Sequence, residues 1–373
     1  MRIGIDLRYL SHNLVGGIHT YLENLIPAML SVGKEHTFVL YADQKADFEI
    51  AALPENAILR VLPYKNALSS IGNDYGIRNW MREDGVDVVH FPANFGFGPA
   101  GAPKVITLHD EINIMPLWEI YRGHQKTLRT LAMMTYLHFN TIASLKDCDR
   151  VITVSEYSKR QILKYSKLSP ERIIPIPHAP PAGVKKVEDA QQIEAVKEKY
   201  HIHQEFILAD ALKNPGVLIR AWKLLPSDLK QDKVIIFFSR RPDIWNVVNE
   251  AIAEGIARFV LRPSREELNS LYSSCLAFVY PSWIEGFGLH LLEAMTCGAP
   301  IIASDRGAIP EVLGEAGFLV DAEDERKLAD YLIELLSNPQ ERERLRTLGF
   351  ERVKMYNWNA IAARVLSVYR ELV

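Results

Sequence analysis

The feature that most constrains this chain is an alternation repeated twice along it. Apolar runs of four to seven residues, rich in Val, Ile and Phe, alternate with longer stretches of helical period. Such runs are too short for buried helices and lack the in-out alternation of half-exposed strands, so they read as strands of a parallel sheet with helices between them. The first series predicts strands at Arg2–Leu7, Thr37–Tyr41, Ile58–Leu62, Val86–Phe91, Lys104–Leu108 and Val151–Val154. Helices are expected over Ile18–Ser31 and Ile71–Glu83, with Pro27 kinking the first or lying on its exposed face. Leu131–Leu145 reads as a buried helix, and Ser155 as the N-cap of a helix over Lys159–Tyr165.

A run with four prolines, Ile173–Val184, then marks an interdomain linker, followed by a charged helix over Val187–Tyr200. The second series predicts strands at Phe206–Ala209, Val234–Phe238, Arg258–Leu261, Ala277–Tyr280 and Ile301–Ala303. Its helices fall at Asn214–Leu224, Ile244–Ile252, Arg265–Ser273, Leu289–Thr296, Asp324–Leu336 and Pro339–Leu348, with a terminal helix at Ala360–Val373. The expected fold is α/β, two facing Rossmann-like domains with a cleft between them and ligands at the carboxyl ends of the strands.

Composition narrows the function classes. Forty-three basic against 46 acidic residues give a formal charge of −3, with no basic excess to advertise a nucleic-acid partner. Three cysteines at long spacings, Cys148, Cys275 and Cys297, make neither a disulfide framework nor a metal-ligand pattern. The amino terminus is too polar for a secretory signal and no run of about 18 apolar residues occurs, so the expectation is a cytoplasmic protein, with peripheral contact at the inner membrane face left open.

The most informative stretch is Pro281–Glu293, PSWIEGFGLHLLE. A buried-type strand runs into a loop, then Gly286-Phe287-Gly288, then a helix. Glycines let backbone approach a ligand closely, and the free N–H groups around Leu289 and His290 form an anion site. Glu285 and Glu293 flank that site, and carboxylates accept hydrogen bonds from vicinal hydroxyls. Spacing alone leaves open a simpler reading, in which Glu285 caps the helix and Glu293 is solvated.

Pro281–Glu293 resembles the E-x7-E segment of retaining, GT-B fold glycosyltransferases of family 4, the "group 1" glycosyltransferases. Ala294–Ala303 resembles that family's EAM-x-x-G-x-P-V-I-A run, Gly307 with Pro310-Glu311 its G-x-x-P-E, and Gly317–Val320 its G-hydrophobic-L-V ending. Gly16-Gly17 resembles the amino-terminal loop that approaches the donor phosphates, Thr107–Asp110 the T-x-H-D segment whose histidine, here His109, contacts the donor sugar, and Val151–Ser158 its V-x-x-x-S segment. Tyr356–Trp358 resembles the start of a terminal helix that packs back on the first domain. The resemblance therefore implies an acceptor-side domain over 1–180 with helix 358–373, and a donor-binding domain over 181–357.

What it implies for the chemistry is retaining transfer of a hexose from a nucleotide diphosphate sugar, with UDP-glucose the first expectation and GDP-mannose the second, to a saccharide or lipid-linked saccharide. No metal or other cofactor is expected. Glu285 is assigned to the sugar hydroxyls and Glu293 to the ribose. Gly286, Phe287 and Gly288 are expected to contact sugar or phosphate by backbone, Lys213 to bind the diphosphate and Arg262 to offer backbone groups to the base. Glu285, His109 and Lys213 form the catalytic set. The family usually carries an arginine before that lysine; here Asp210 stands near its place, and Arg240 is the candidate substitute. A nucleotide-sugar epimerase on the same fold, or a non-catalytic nucleotide-sugar sensor, are the alternatives.

Two motifs are rejected. Gly96–Gly101 fits G-x-G-x-x-G but precedes a strand, although its Asn94–Gly98 loop is a candidate acceptor lining. Asp147-Cys148-Asp149 fits D-x-D at the wrong end of a strand. Trp118–Lys126 with Arg129, basic and aromatic, reads either as a contact for an anionic membrane or lipid-linked acceptor, or as a solvated helix face.

Overall fold

A computed structural model describes residues 1–12, 16–45, 53–122 and 127–373. They form two compact units, Met1–His178 with Asn357–Val373, and Ala179–Tyr356. The chain thus leaves the first unit after His178 and returns to it at Asn357.

The first unit holds strands β1 (Arg2–Asp6), β2 (Thr37–Asp43), β3 (Ala57–Leu62), β4 (Val88–Phe91), β5 (Lys104–Thr107), β6 (Arg150–Thr153) and β7 (Ile173–Pro175). They pair in parallel in the order β3-β2-β1-β4-β5-β6-β7. The second holds β8 (Glu205–Asp210), β9 (Lys233–Ser239), β10 (Ala257–Leu261), β11 (Ala277–Tyr280), β12 (Ile301–Ser304) and β13 (Gly317–Val320), also parallel, in the order β10-β9-β8-β11-β12-β13. Both are Rossmann-like. The strand order reverses between β1 and β4 and again between β8 and β11, and such reversals open a crevice at the strand ends.

The runs read as strands are buried on both faces, as parallel strands flanked by helices must be. Ile207, Leu208, Ile235, Ile236, Phe278 and Val279 are fully buried in the second sheet. Pro27 lies on the exposed side of the helix Gly17–Val32, and the Ser155 hydroxyl accepts from the Ser158 amide as the N-cap of Glu156–Tyr165. The terminal helix Trp358–Arg370 packs on Gly17–Val32, and its Tyr369 hydroxyl reaches buried His90 at 2.6 Å.

Two expectations need correction. The proline-rich run is not all linker, because Ile173–Pro175 adds β7 to the first sheet. Its place at the sheet edge is where proline, lacking an N–H, does least harm. The helix read as buried spans Leu128–Asp147 and is half exposed, with Leu128, Met133 and Phe139 facing outward. His138, Asn140, Thr141, Ser144 and Leu145 are the residues it buries. Its inner side is thus largely polar, with Leu145 joining the core.

Candidate functional site

In the second unit the strand-end crevice between β8 and β11 gathers the chemistry. After β11 the loop Pro281–Gly288 leads into the helix Leu289–Cys297. Gly288 stands at its N-cap with φ +95°, in the left-handed region that favours glycine, and no side chain caps the first turn. The Leu289 and His290 amides therefore stand at an uncapped helix start, where backbone dipoles favour negative charge. Phe287 is buried, its ring 6.1 Å from that of Tyr356.

The loop is held from beneath. Ser304 Oγ donates to the Ser282 carbonyl at 2.6 Å, and the Ala308 amide donates to the Glu285 carbonyl at 2.9 Å. Gly307 makes the second contact possible, since a Cβ there would lie 2.5 Å from the Glu285 carbonyl oxygen. The G-x-x-P-E resemblance thus has a local cause. Its glycine lets the β12 loop lie flat against the backbone of Glu285.

Three donors converge on Glu285 Oε1. Tyr280 Oη and Ser282 Oγ each donate at 2.7 Å, and Lys213 Nζ lies 2.6 Å away. Lys213 occupies the turn after β8. Asn214, with φ +52°, starts the next helix, and its side-chain amide donates to the carbonyls of Pro281 at 3.0 Å and Ala322 at 2.7 Å. That amide ties the lysine turn to the β11 loop. Burial, with Glu285 beside it, pushes the Tyr280 hydroxyl well above its ordinary pKa, so it serves as a donor.

Glu293 lies one turn inside the helix and is 4% exposed. Arg265 Nη1 donates to its Oε1 at 2.5 Å, and His290 Nδ1 donates to its Oε2 at 2.8 Å. Burial alone pushes such a carboxyl up, but His290 and Arg265 outweigh it and bring the pKa down to about 2. His290 Nε2 lies 3.6 Å from Asp210 Oδ2, and the Tyr272 hydroxyl is 3.2 Å from Nδ1. Burial would discharge this imidazole; Glu293 and then Asp210 raise its pKa instead.

Not every expected residue joins this group. Arg240 is exposed at the end of β9, and its carbonyl accepts from Arg262 Nε at 3.1 Å. Arg262 follows β10 with φ +51°, its amide donating to the Ser239 carbonyl at 2.7 Å. Gly16, Gly17 and His109 belong to the first unit. Gly16 is the N-cap of Gly17–Val32, with no side chain capping that turn, and Gly17 is exposed.

His109 follows β5. Its Nε2 lies 3.0 Å from the Pro92 carbonyl and its amide donates to Asn94 Oδ1 at 3.0 Å. A carbonyl only accepts, so Nε2 carries the proton and Nδ1 keeps its lone pair. Burial lowers this pKa to about 4, with the Pro92 bond opposing. Tyr21 stacks on His178 with ring centres 4.8 Å apart and meets His109 edge to face at 5.1 Å.

Residues 207–352 match the sequence profile described as "Glycosyl transferases group 1", and residues 15–179 match "Glycosyltransferase Family 4". The chain belongs to the family-4, group 1 glycosyltransferases. O-antigen chain mannosyltransferase B of Escherichia coli is 27% identical over 301 residues, which is 79% of this chain and 77% of that one. Sucrose-phosphate synthase from Thermosynechococcus elongatus superposes with a TM-score of 0.73 at 19% identity, covering 100% and 99% of the two chains. Anabaena HepE in complex with UDP-glucose superposes at 0.67 and 16% identity, covering 99% and 100%. These likenesses establish the GT-B fold.

Within this glycosyltransferase both rejected motifs have structural roles. A Cβ on Gly96 would lie 1.9 Å from the Phe91 ring and one on Gly98 2.7 Å from Val89, so these glycines let the chain pack on β4. Asp149 Oδ2 accepts from the Lys104 amide and Asp147 pairs with Lys104 Nζ, closing a helix-to-strand turn. Trp118, Arg122 and Arg129 are exposed, with the Arg122 guanidinium 5.9 Å from the Trp118 ring centre; Gly123–Lys126 lie outside the described residues. No helix among the described residues is long and apolar enough to cross a membrane.

Sequence reasoning missed Arg265, Tyr280, Ser282 and the side chain of His290. One signal was available. Ser264-x-x-Glu267 is a capping box, present in the structure, and it fixes Arg265 as the first helical residue.

Proposed function

We propose that this glycosyltransferase moves a hexosyl group from a nucleotide diphosphate sugar to a saccharide or lipid-linked saccharide, with retention of anomeric configuration and without a metal ion. The mannosyltransferase relative supports mannose ahead of glucose, which reverses the order expected from sequence and makes GDP-mannose the first donor to try. The observation that carries the reading is an uncapped helix start flanked by two carboxylates in different states of engagement.

The leaving nucleoside diphosphate takes up negative charge as the glycosidic bond breaks. Fixed N–H dipoles at Leu289 and His290, with Lys213 Nζ, stabilise that charge as it develops. Glu285 positions the donor sugar through its hydroxyls, held for that task by Tyr280 and Ser282. Glu293, ionised at all ordinary pH, receives the ribose hydroxyls. His109, neutral, presents an acceptor nitrogen and never competes as a cation. The outward apolar side of the helix Leu128–Asp147, beside Arg122 and Arg129, supports a lipid-linked acceptor at an anionic bilayer.

The test is direct. Purified protein is incubated with GDP-mannose or UDP-glucose and a panel of mannosides and lipid-linked saccharides, and products are read by mass. A mass gain of one hexose, with an α-linkage from an α-linked donor, is expected. Nucleotide binding without turnover on any pairing would favour the non-catalytic sensor, and conversion of the donor alone to an isomer the epimerase.

A further inference from the structure

The sequence lacks the cation that usually accompanies Lys213 and puts Asp210 near its place, which leaves the donor site short of positive charge. A half-buried histidine sits beside that acid. His290 Nδ1 is 2.8 Å from Glu293 Oε2, and Nε2 is 3.6 Å from Asp210 Oδ2. A carboxylate only accepts hydrogen bonds, and a neutral imidazole keeps one nitrogen lone pair. In either neutral tautomer that lone pair would face a carboxylate. Only the doubly protonated ring presents N–H to both.

We propose that the His290 imidazolium is the second cation of the donor diphosphate site, held charged between Glu293 and Asp210 in place of the missing arginine. This rests on the donor-site reading above. The Nδ1–H is committed to Glu293. The Nε2–H is not, because 3.6 Å is beyond hydrogen-bond length, and without any turn of the ring it can donate to a phosphate oxygen that comes within reach. Its backbone amide lies at the same uncapped helix start.

The groups facing the ring come from every element around it. Glu293 is on its own helix, Asp210 ends β8, Lys213 follows, and Tyr280 ends β11. Tyr272, with Arg265 beyond Glu293, comes from the helix Arg265–Ser274, and Phe238 covers the ring from β9 at 5.6 Å. With His290 charged, the acids Asp210, Glu285 and Glu293 balance the cations Lys213, Arg265 and His290. With it neutral, the group is one charge negative, an unfavourable place for a diphosphate. Asp210 is a positioning residue in this scheme, since it acts through the imidazole.

The experiment follows the His290 imidazole by NMR on protein with labelled histidine, titrated between pH 5 and 9 with and without GDP, and again with UDP. His290→Gln identifies the resonance. If the ring contacts phosphate, bound nucleoside diphosphate moves its midpoint upward, and Asp210→Asn moves the midpoint of the free protein downward. His290→Gln is expected to weaken nucleotide binding about tenfold at pH 6 and to equal the wild type within about threefold at pH 9. A bound nucleotide that leaves the midpoint unchanged, or a His290→Gln deficit of the same size at both pH values, overturns the assignment of His290 alone. Failure of both nucleotides to bind at any pH overturns the donor-site reading with it.

Discussion

Each unit holds histidine at the carboxyl ends of its strands, and the outcomes are opposite. In the first unit His90 is bonded to the Thr107 and Tyr369 hydroxyls, and burial holds its pKa down to about 3. His109 meets a carbonyl and is held down to about 4, and His178, stacked on Tyr21, falls well below its ordinary value. In the second unit His290 is only partly buried, its partners are Glu293 and Asp210, and it is raised. Burial gives a neutral ring when the partners are hydroxyls, carbonyls and aromatic faces, and a cation when they are carboxylates. One unit thereby offers neutral hydrogen-bonding surface, and the other a matched set of charges.

The sharpest way to break this comparison is acid. A histidine depressed in the fold is neutral in both states above pH 6.5. Below that the unfolded chain takes up a proton that the fold refuses, so stability falls by about 1.4 kcal/mol per pH unit for each such ring. His90, His109 and His178 all act in this direction, so together they should make the first unit less stable as the pH falls below 6.5. His290 has the reverse sign: its contribution is present below 6.5 and is lost as pH rises through its raised value. Glu293 contributes above pH 4.5, and that contribution is lost as pH falls to about 2. Urea unfolding followed from pH 8 to pH 5 should show the first unit failing earlier at the acid end. Equal sensitivity of both units would sink the contrast.

Removing a charge from the second unit is the next largest effect. Arg265→Ala leaves Glu293 buried with one partner and should destabilise that unit by about 3 kcal/mol. A calorimetric transition that does not move would mean the pair is solvated after all. Glu285→Ala should lower transfer about a hundredfold or more while nucleotide affinity stays within about threefold, because this acid acts on the sugar. Glu293→Ala should do the opposite, weakening nucleotide binding first. Exchange of these two patterns in paired rate and titration assays would reassign the carboxylates. The smallest effect is on the first unit's surface. Phe139→Asp with Arg129→Ala should lower co-sedimentation with anionic vesicles several-fold, with unfolding unaltered. Unchanged sedimentation would remove the bilayer from the proposal.

Much of the fold could be read because parallel strands buried on both faces leave uninterrupted apolar runs. β7 escaped because its proline suits an edge strand and also mimics a linker. The helix Leu128–Asp147 escaped for another reason. Periodicity shows that a helix has an apolar side, but which side is covered depends on neighbours, and here the neighbours bury His138 and Asn140. At the site, the Gly286–Gly288 turn and both acids were legible as a motif. The partners of Glu293 were not, since Arg265 and Asp210 lie 28 and 83 positions away and meet it or its histidine only through the sheet.

The central claim is that a nucleoside diphosphate sits at the mouth of the helix Leu289–Cys297. A crystal structure of the protein grown with GDP, or with UDP if GDP fails to bind, tests it most directly. The account predicts phosphate oxygens at hydrogen-bond distance, about 2.7–3.2 Å, from the Leu289 or His290 amide and from Lys213 Nζ, with the ribose on Glu293. A nucleotide bound in the crystal with its phosphates away from that helix would contradict it.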